Sequence, residues 1–419
     1  MKALLQLPMR LVVFLSGLAL LWFGGSRPVS SNSYGPSMSA ENVPAAVLPF
    51  EYFKNHIFVT VQIDGSGQYS CMVDNGLNAD AITERAARLM KLPSHAAGGK
   101  TPSAKGLGEG SGPKIFVADN NVVLGVRGSP ILTGQVLVLD TSAMEKAMGR
   151  PIDCTIGSPL FDRFVVAVDF TKRQLTLYDP SRFTYSGRGH SVLLRVAAPP
   201  SVEAELATQD GRKVKATLGI DLGSDVSFDF WPAFQSKHRI LEARQPELTV
   251  ASMGLAGSLH ESMARLPYVD FAGFRIEKPL AVFQNTARDA GLSKSDGAVG
   301  NGLLQRFTVI FDYSRRLLIL EPNSSFGDPF TANMTGIGAD PYSDPTRGFE
   351  VSGVQDGSVG GTAGVRPGDR IVEINGVLCS TLTFESFHQM LTAEGAPFKL
   401  KVERGGEKIE ISFQTPRLP

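Results

Sequence analysis

Apolar and polar side chains alternate from residue 50 to 63 and run out in HIFVTVQID, just before the turn pair Asp64-Gly65. That alternation predicts a strand with one buried face. A shorter strand at 69–73 delivers Asp74. Residues 81–91 (AITERAARLMK) instead space their apolar side chains as a helix does, with Leu92-Pro93 closing it. A glycine-rich loop at 98–112 precedes strands expected at 114–126 and 131–139. A short helix is expected at 142–148 and a hairpin within DFTKRQLTLYD (169–179). The pattern then starts again. Strands are expected at 192–207 and 213–220 around Asp210-Gly211, weak helix at 230–240, strands and loops through 247–282, and a closing hairpin from Asp312-Tyr313. Strands and helices never alternate regularly, so the fold class expected is mainly β.

The restart is a duplication. GSPLFDRFVVAVDFTKRQLTL at 157–177 matches GNGLLQRFTVIFDYSRRLLIL at 300–320, with nine of 21 positions identical at an offset of 143. Upstream of each copy, CMVDNG (71–76) and LGIDLG (218–223) bring an apolar run to an Asp with Gly two residues later. Two lobes, 45–182 and 183–325, would each contribute one Asp at a strand end. A pair of carboxylates donated to one interface is what acid–base hydrolysis of a peptide bond needs. Asp169 and Asp312 repeat as faithfully. Each is followed by a turn and a basic residue (Arg173, Arg316), which reads as hairpin-turn chemistry with a local charge partner.

Residues 323–347 are rich in Pro, Gly, Asn and Ser and read as a linker, with the boundary at 326–346. Beyond it, 347–419 has strands GFEVSGV, DRIVEING, FKLKVER and KIEISFQ and one helix at 384–391 (FESFHQML), an independent small domain.

Lys2 and Arg10 precede an apolar run, Leu11 to Phe23, so residues 1–26 read as an export signal or an N-terminal membrane tether, followed by a disordered linker at 27–44. The expected location is extracytoplasmic, periplasmic or secreted. Lys+Arg and Asp+Glu are both 41, which leaves no basic footprint for nucleic acid. The six His have no paired ligand spacing, so no metal is expected, and neither GxSxG nor a complete P-loop is present. Cys71 and Cys154 would be cross-strand neighbours if the strands carrying Asp74 and Gly157 pair in parallel; they are then either a disulfide or two small buried thiols. Cys379 is the odd cysteine.

MVDNG with TIGSPLFDRF, and GIDLG with AVGNGLLQRF, resemble the paired motifs of a bacterial aspartic peptidase of the retropepsin/pepsin-like class. The resemblance covers about 45–325. It implies a two-lobed double β-barrel, no cofactor, a polypeptide substrate, and a catalytic dyad of Asp74 and Asp221. Asn75, Gly76, Gly223 and Ser224 would support the two loops. A flap would lie at Gly106, Leu107, Gly108 and Gly110, and more weakly at 254–258. The family's Thr after each Asp is here Asn75 and Leu222, and the residue after each Gly is Leu77 and Ser224. Those departures keep a second reading open, a catalytically degenerate binding scaffold of the envelope. The C-terminal part, through AGVRPGDRIVEING, resembles a PDZ domain of the exported-protease type. It implies that a peptide or protein C-terminus adds as a strand near 349–354, with Gly348, Phe349, Val351, Phe387 and Leu391 as binding residues.

Overall fold

The two copies of the repeat bond to each other. In the structure, a computed structural model that describes residues 42–96, 112–241, 248–254, 257–284, 295–341 and 347–417, Val165–Asp169 pairs antiparallel with Phe307–Asp312. The register pairs Ala167 with Ile310, its own mate at the offset of 143, and maps Val166↔Phe311 onto Val168↔Val309. The pairing is thus its own image under an approximate twofold. Each strand turns back on a partner, Gln174–Tyr178 in one half and Leu317–Pro322 in the other, so that one sheet spans both lobes. These strands are apolar on both faces because both are covered: Val166, Val168, Val309 and Phe311 are buried on one face and Val165 and Ile310 on the other.

The repeated turns match too. Asp169 accepts from the Lys172 backbone N–H and pairs with the Lys172 ammonium, and Asp312 accepts from the Arg315 backbone N–H and pairs with the Arg315 guanidinium. The charge partners are therefore one residue earlier than expected, because Arg173 and Arg316 take left-handed backbone (φ 52° and 55°) to close the turns.

Each half also carries the parallel pairing that the Asp loops need. Cys154–Ile156 lies parallel to the end of Ser66–Val73, and Gly297–Val299 lies parallel to the end of Lys213–Ile220. Ala81–Thr83 and Phe228–Phe230 flank the threaded strands on the far side. The first half continues into a 15-stranded sheet and the second into a nine-stranded one, among the described residues.

Local chemistry corrects several expected elements. The run at 50–63 is two strands, Ala46–Phe53 and His56–Ile63, joined by Lys54-Asn55 with φ 47° and 58°. This two-residue turn with both φ positive makes a tight hairpin. Residues 114–126 divide into Ile115–Ala118 and Val122–Val126, and 192–207 divides at Ala198-Pro199-Pro200 into His190–Leu193 and Ser201–Ala207. The helix at 81–91 begins only at Glu84, where the Thr83 side chain accepts from Ala86 N–H.

The segment read as linker contains a strand. Ile337–Pro341 pairs antiparallel with Phe349–Val354 and forms the edge of a six-stranded sheet, with its own core of Ile337, Val351, Phe387, Leu391 and Phe398 among others.

Candidate active site and peptide groove

Each Asp sits where an apolar strand stops. Asp74 N–H donates to Ile156 carbonyl and Asp221 N–H to Val299 carbonyl, both at 2.9 Å, so the threaded strand fixes each loop's start. Gly76 N–H and Gly223 N–H then donate to the Asp74 and Asp221 Oδ1 atoms at 2.9 and 2.8 Å. The two carboxyl groups are close enough to share a hydrogen bond. A Cβ placed on Gly76 would lie 3.0 Å from Asp74 Oδ1 and 3.1 Å from both Asp221 oxygens; one on Gly223 would lie 2.5 Å from the Asp74 carboxyl carbon. Glycine is required here because nothing larger fits between the facing loops. Burial raises the pKa of both carboxyls, and the charge of Asp74 raises Asp221 further.

The expected hydroxyls are replaced by buried amides. Asn75 donates through Nδ2 to Ile220 carbonyl at 2.9 Å and accepts at Oδ1 from Leu222 N–H at 2.7 Å. A single side chain thereby makes both ties across the twofold. Leu222 is wholly buried in the core. Its carbonyl accepts from Asn301 Nδ2 at 2.7 Å, and the same nitrogen donates to Asn55 carbonyl at 2.8 Å. Sequence reasoning missed Asn301. The signal was available, since it occupies the place of Ser158 in the first repeat and is polar in both copies. Asp80 was missed as well; its Oδ1 accepts from Gly157 N–H at 2.8 Å, holding the threaded strand to the first loop. Ser224, expected to support the second loop, does so through its backbone: its carbonyl accepts from Asn301 N–H at 2.8 Å.

Cys71 and Cys154 are joined as a disulfide across the parallel pair, and Cys379 is a buried thiol without a disulfide partner. The flap residues Gly106, Leu107, Gly108 and Gly110 lie outside the described residues. In the second lobe the backbone of Leu248–Gly254 and Gly257–Arg265 forms a hairpin at the place of the weaker flap.

The sheet edge lies one strand away from where it was expected. Phe349–Val354 is paired on both sides, with Ile337–Pro341 and with Arg370–Ile374, so it has no edge to offer. Phe349, Val351, Phe387 and Leu391 point into the core, and Phe349 stacks on Phe387 with centroids 4.0 Å apart. Gly348 takes φ 90° and packs its α-carbon against the Ile371 carbonyl, which is a packing role. The sheet edge beside the helix Phe384–Leu391 is Ile337–Pro341, where His388 Nε2 lies 3.3 Å from Ala339 carbonyl.

A family model described as a PDZ domain matches residues 350–404. This stretch is a PDZ domain. The match begins after the edge strand, which the fold nonetheless adds to the domain's sheet. No curated protein was found to match the chain.

Proposed function

We propose that this chain is an aspartic endopeptidase with a two-lobed architecture of the pepsin/retropepsin kind, and that its PDZ domain holds a polypeptide C-terminus. The observation that carries the reading is the pair Asp74/Asp221, two half-buried carboxyls facing each other across an approximate twofold with a glycine behind each. Two such groups cannot both ionise cheaply, so they retain one proton between them. The ionised carboxylate accepts a proton from a water as its oxygen attacks the scissile carbonyl carbon. The protonated carboxyl donates its hydrogen to the carbonyl oxygen. Collapse of the tetrahedral species breaks the C–N bond as the leaving nitrogen takes up a proton, and the dyad returns to its singly protonated form. No metal or organic cofactor enters these steps.

Leu222 had favoured the non-catalytic scaffold. Its burial, together with the ties from Asn75 and Asn301, favours the enzyme, because the loops keep a rigid relation without the second hydroxyl. The disulfide fits an oxidising, extracytoplasmic compartment, with residues 1–26 as signal or tether. For the PDZ domain, the edge of Ile337–Pro341 beside Phe384–Leu391 is the place where a peptide strand would add.

The test is cleavage of an unfolded protein between about pH 3 and 8, with Asp74→Asn and Asp221→Asn run in parallel. Loss on the order of 10²–10⁴-fold in each variant is expected for removal of a general acid–base group. A folded wild type that cleaves nothing at any pH would leave the scaffold reading standing.

A further inference from the structure

We infer that the turn Lys54-Asn55 couples the PDZ groove to the Asp dyad, so that a polypeptide C-terminus seated in the groove loosens the dyad loops. The inference rests on the peptide-binding reading of the groove proposed above. Three consecutive residues carry it. Phe53 stacks on Phe384, the first residue of the groove helix, with centroids 4.8 Å apart and planes at 17°. Lys54 Nζ pairs with Asp340 Oδ1 at 2.6 Å, on the edge strand that forms the other wall. Asn55 donates through Nδ2 to Asp225 carbonyl at 2.8 Å, and its own carbonyl accepts from Asn301 Nδ2, the nitrogen that also holds Leu222. One hairpin tip therefore touches both walls of the groove and the loop of Asp221.

The groove is narrow as it stands. His388 on the helix lies 3.3 Å from the Ala339 carbonyl, the acceptor that an added strand's N–H would take. Seating a peptide there displaces His388 and parts the helix from the edge strand. Phe384 and Asp340 move apart while both are held by the same turn. Glu385, the next helix residue, is further tied to Arg173 at 3.2 Å. A two-residue turn in left-handed backbone has little slack, so the displacement passes to Asn55 and through Asn301 to Leu222. The chemistry closes a loop: hydrolysis of a peptide bond creates a new C-terminal carboxylate, so the N-terminal product has the end group the groove takes. Product would then act back on the dyad.

The test is hydrogen exchange on the full chain with a pool of synthetic decapeptides bearing free C-terminal carboxylates, beside the same pool amidated. The expected result is protection at Ile337–Pro341 together with exchange faster on the order of tenfold at 70–77 and 218–225, from the carboxylate pool only. Lys54→Ala should keep the groove protection and abolish the loop response, and Lys54→Arg should retain both. Asp340→Asn cuts the same pair from the other side and serves if Lys54→Ala does not fold. Protection in the groove with unchanged loops, or an undiminished loop response in Lys54→Ala, overturns the coupling. No protection at Ile337–Pro341 overturns the peptide-binding reading and the coupling with it. Exchange is read without any cleavage, so failure of the peptidase reading stays separate.

Discussion

Asp80 shows how much a single buried carboxyl can cost the fold. Burial pushes its pKa to about 6, against 3.8 for the ordinary group, although Gly157 N–H partly offsets this by donating to it. Its folded pKa lies above its unfolded one, so the folded state binds the proton more tightly. The contribution of Asp80 to stability is then greatest below about pH 4, falls as pH rises toward 6, and stays low above that. Asparagine keeps the oxygen that Gly157 needs and has no charge to desolvate. Asp80→Asn should therefore match wild type near pH 4 and exceed it at pH 7 by about 2–3 kcal/mol, read from urea unfolding at the two pH values. Equal gains at both would mean that ionisation is not the cause. Asn301→Ala strands two carbonyls, the buried one of Leu222 and the half-buried one of Asn55, and should cost about 2–4 kcal/mol and slow cleavage, with the midpoint and kcat measured on the same preparation. The sequence made Asp74 and Asp221 legible because both end apolar runs at a repeat. It hid the amide ties, because Asn75 makes with one side chain what the family motif divides between two hydroxyls, and hydrogen bonds to a neighbouring loop's backbone leave no mark in spacing.

At the scale of elements, what was legible was what repeats or alternates, and what was lost lies where chemistry interrupts a pattern. The strand Ile337–Pro341 reads as linker because IGADP is short and flanked by Gly and Pro, yet Ile337 and Ala339 face the core while Gly338 is exposed, a period of two compressed into five residues. The hairpin at 46–63 was missed because its turn has no Gly or Pro: the polar run Lys54-Asn55-His56 is short, and only left-handed backbone at Lys54 and Asn55 reveals the turn. The loop glycines, by contrast, could be read directly. Gly223→Ala should fold, since the loop lies outside the strands, yet the added methyl would stand 2.5–2.8 Å from the Asp74 carboxyl atoms and push that group aside. A displacement of this kind costs roughly a hundredfold in rate. Cleavage should fall by that factor while the urea midpoint moves little. A variant with wild-type kcat would place the reacting carboxylate elsewhere.

For the whole molecule, the twofold is imperfect in a way that bears on stability. The lobes share a sheet and a core, but only the first is cross-linked where its strands run parallel; Leu218 and Gly297 stand in the second lobe where Cys71 and Cys154 are bonded in the first. The bond closes a loop with a sequence separation of 83 residues, spanning most of the first lobe. Cross-links of that size restrict the unfolded chain and contribute about 4 kcal/mol. Both cysteines are buried, with relative exposures of 0% and 1%, so a reductant reaches them only through opening of the lobe. Two results should follow. Native protein in dithiothreitol should retain cleavage over hours, because the opening is rare. Cys71→Ala/Cys154→Ala should lose about 4 kcal/mol in urea unfolding, and the loss should be confined to the first lobe if the two lobes unfold in separate steps. Cys71 lies three residues before Asp74 on the same strand, so the variant also asks whether the backbone bonds of the threaded strand position the dyad unaided. Cleavage at the wild-type rate in the folded variant would assign that task to Asp80 and the Ile156 carbonyl, and the disulfide's part would be stability alone.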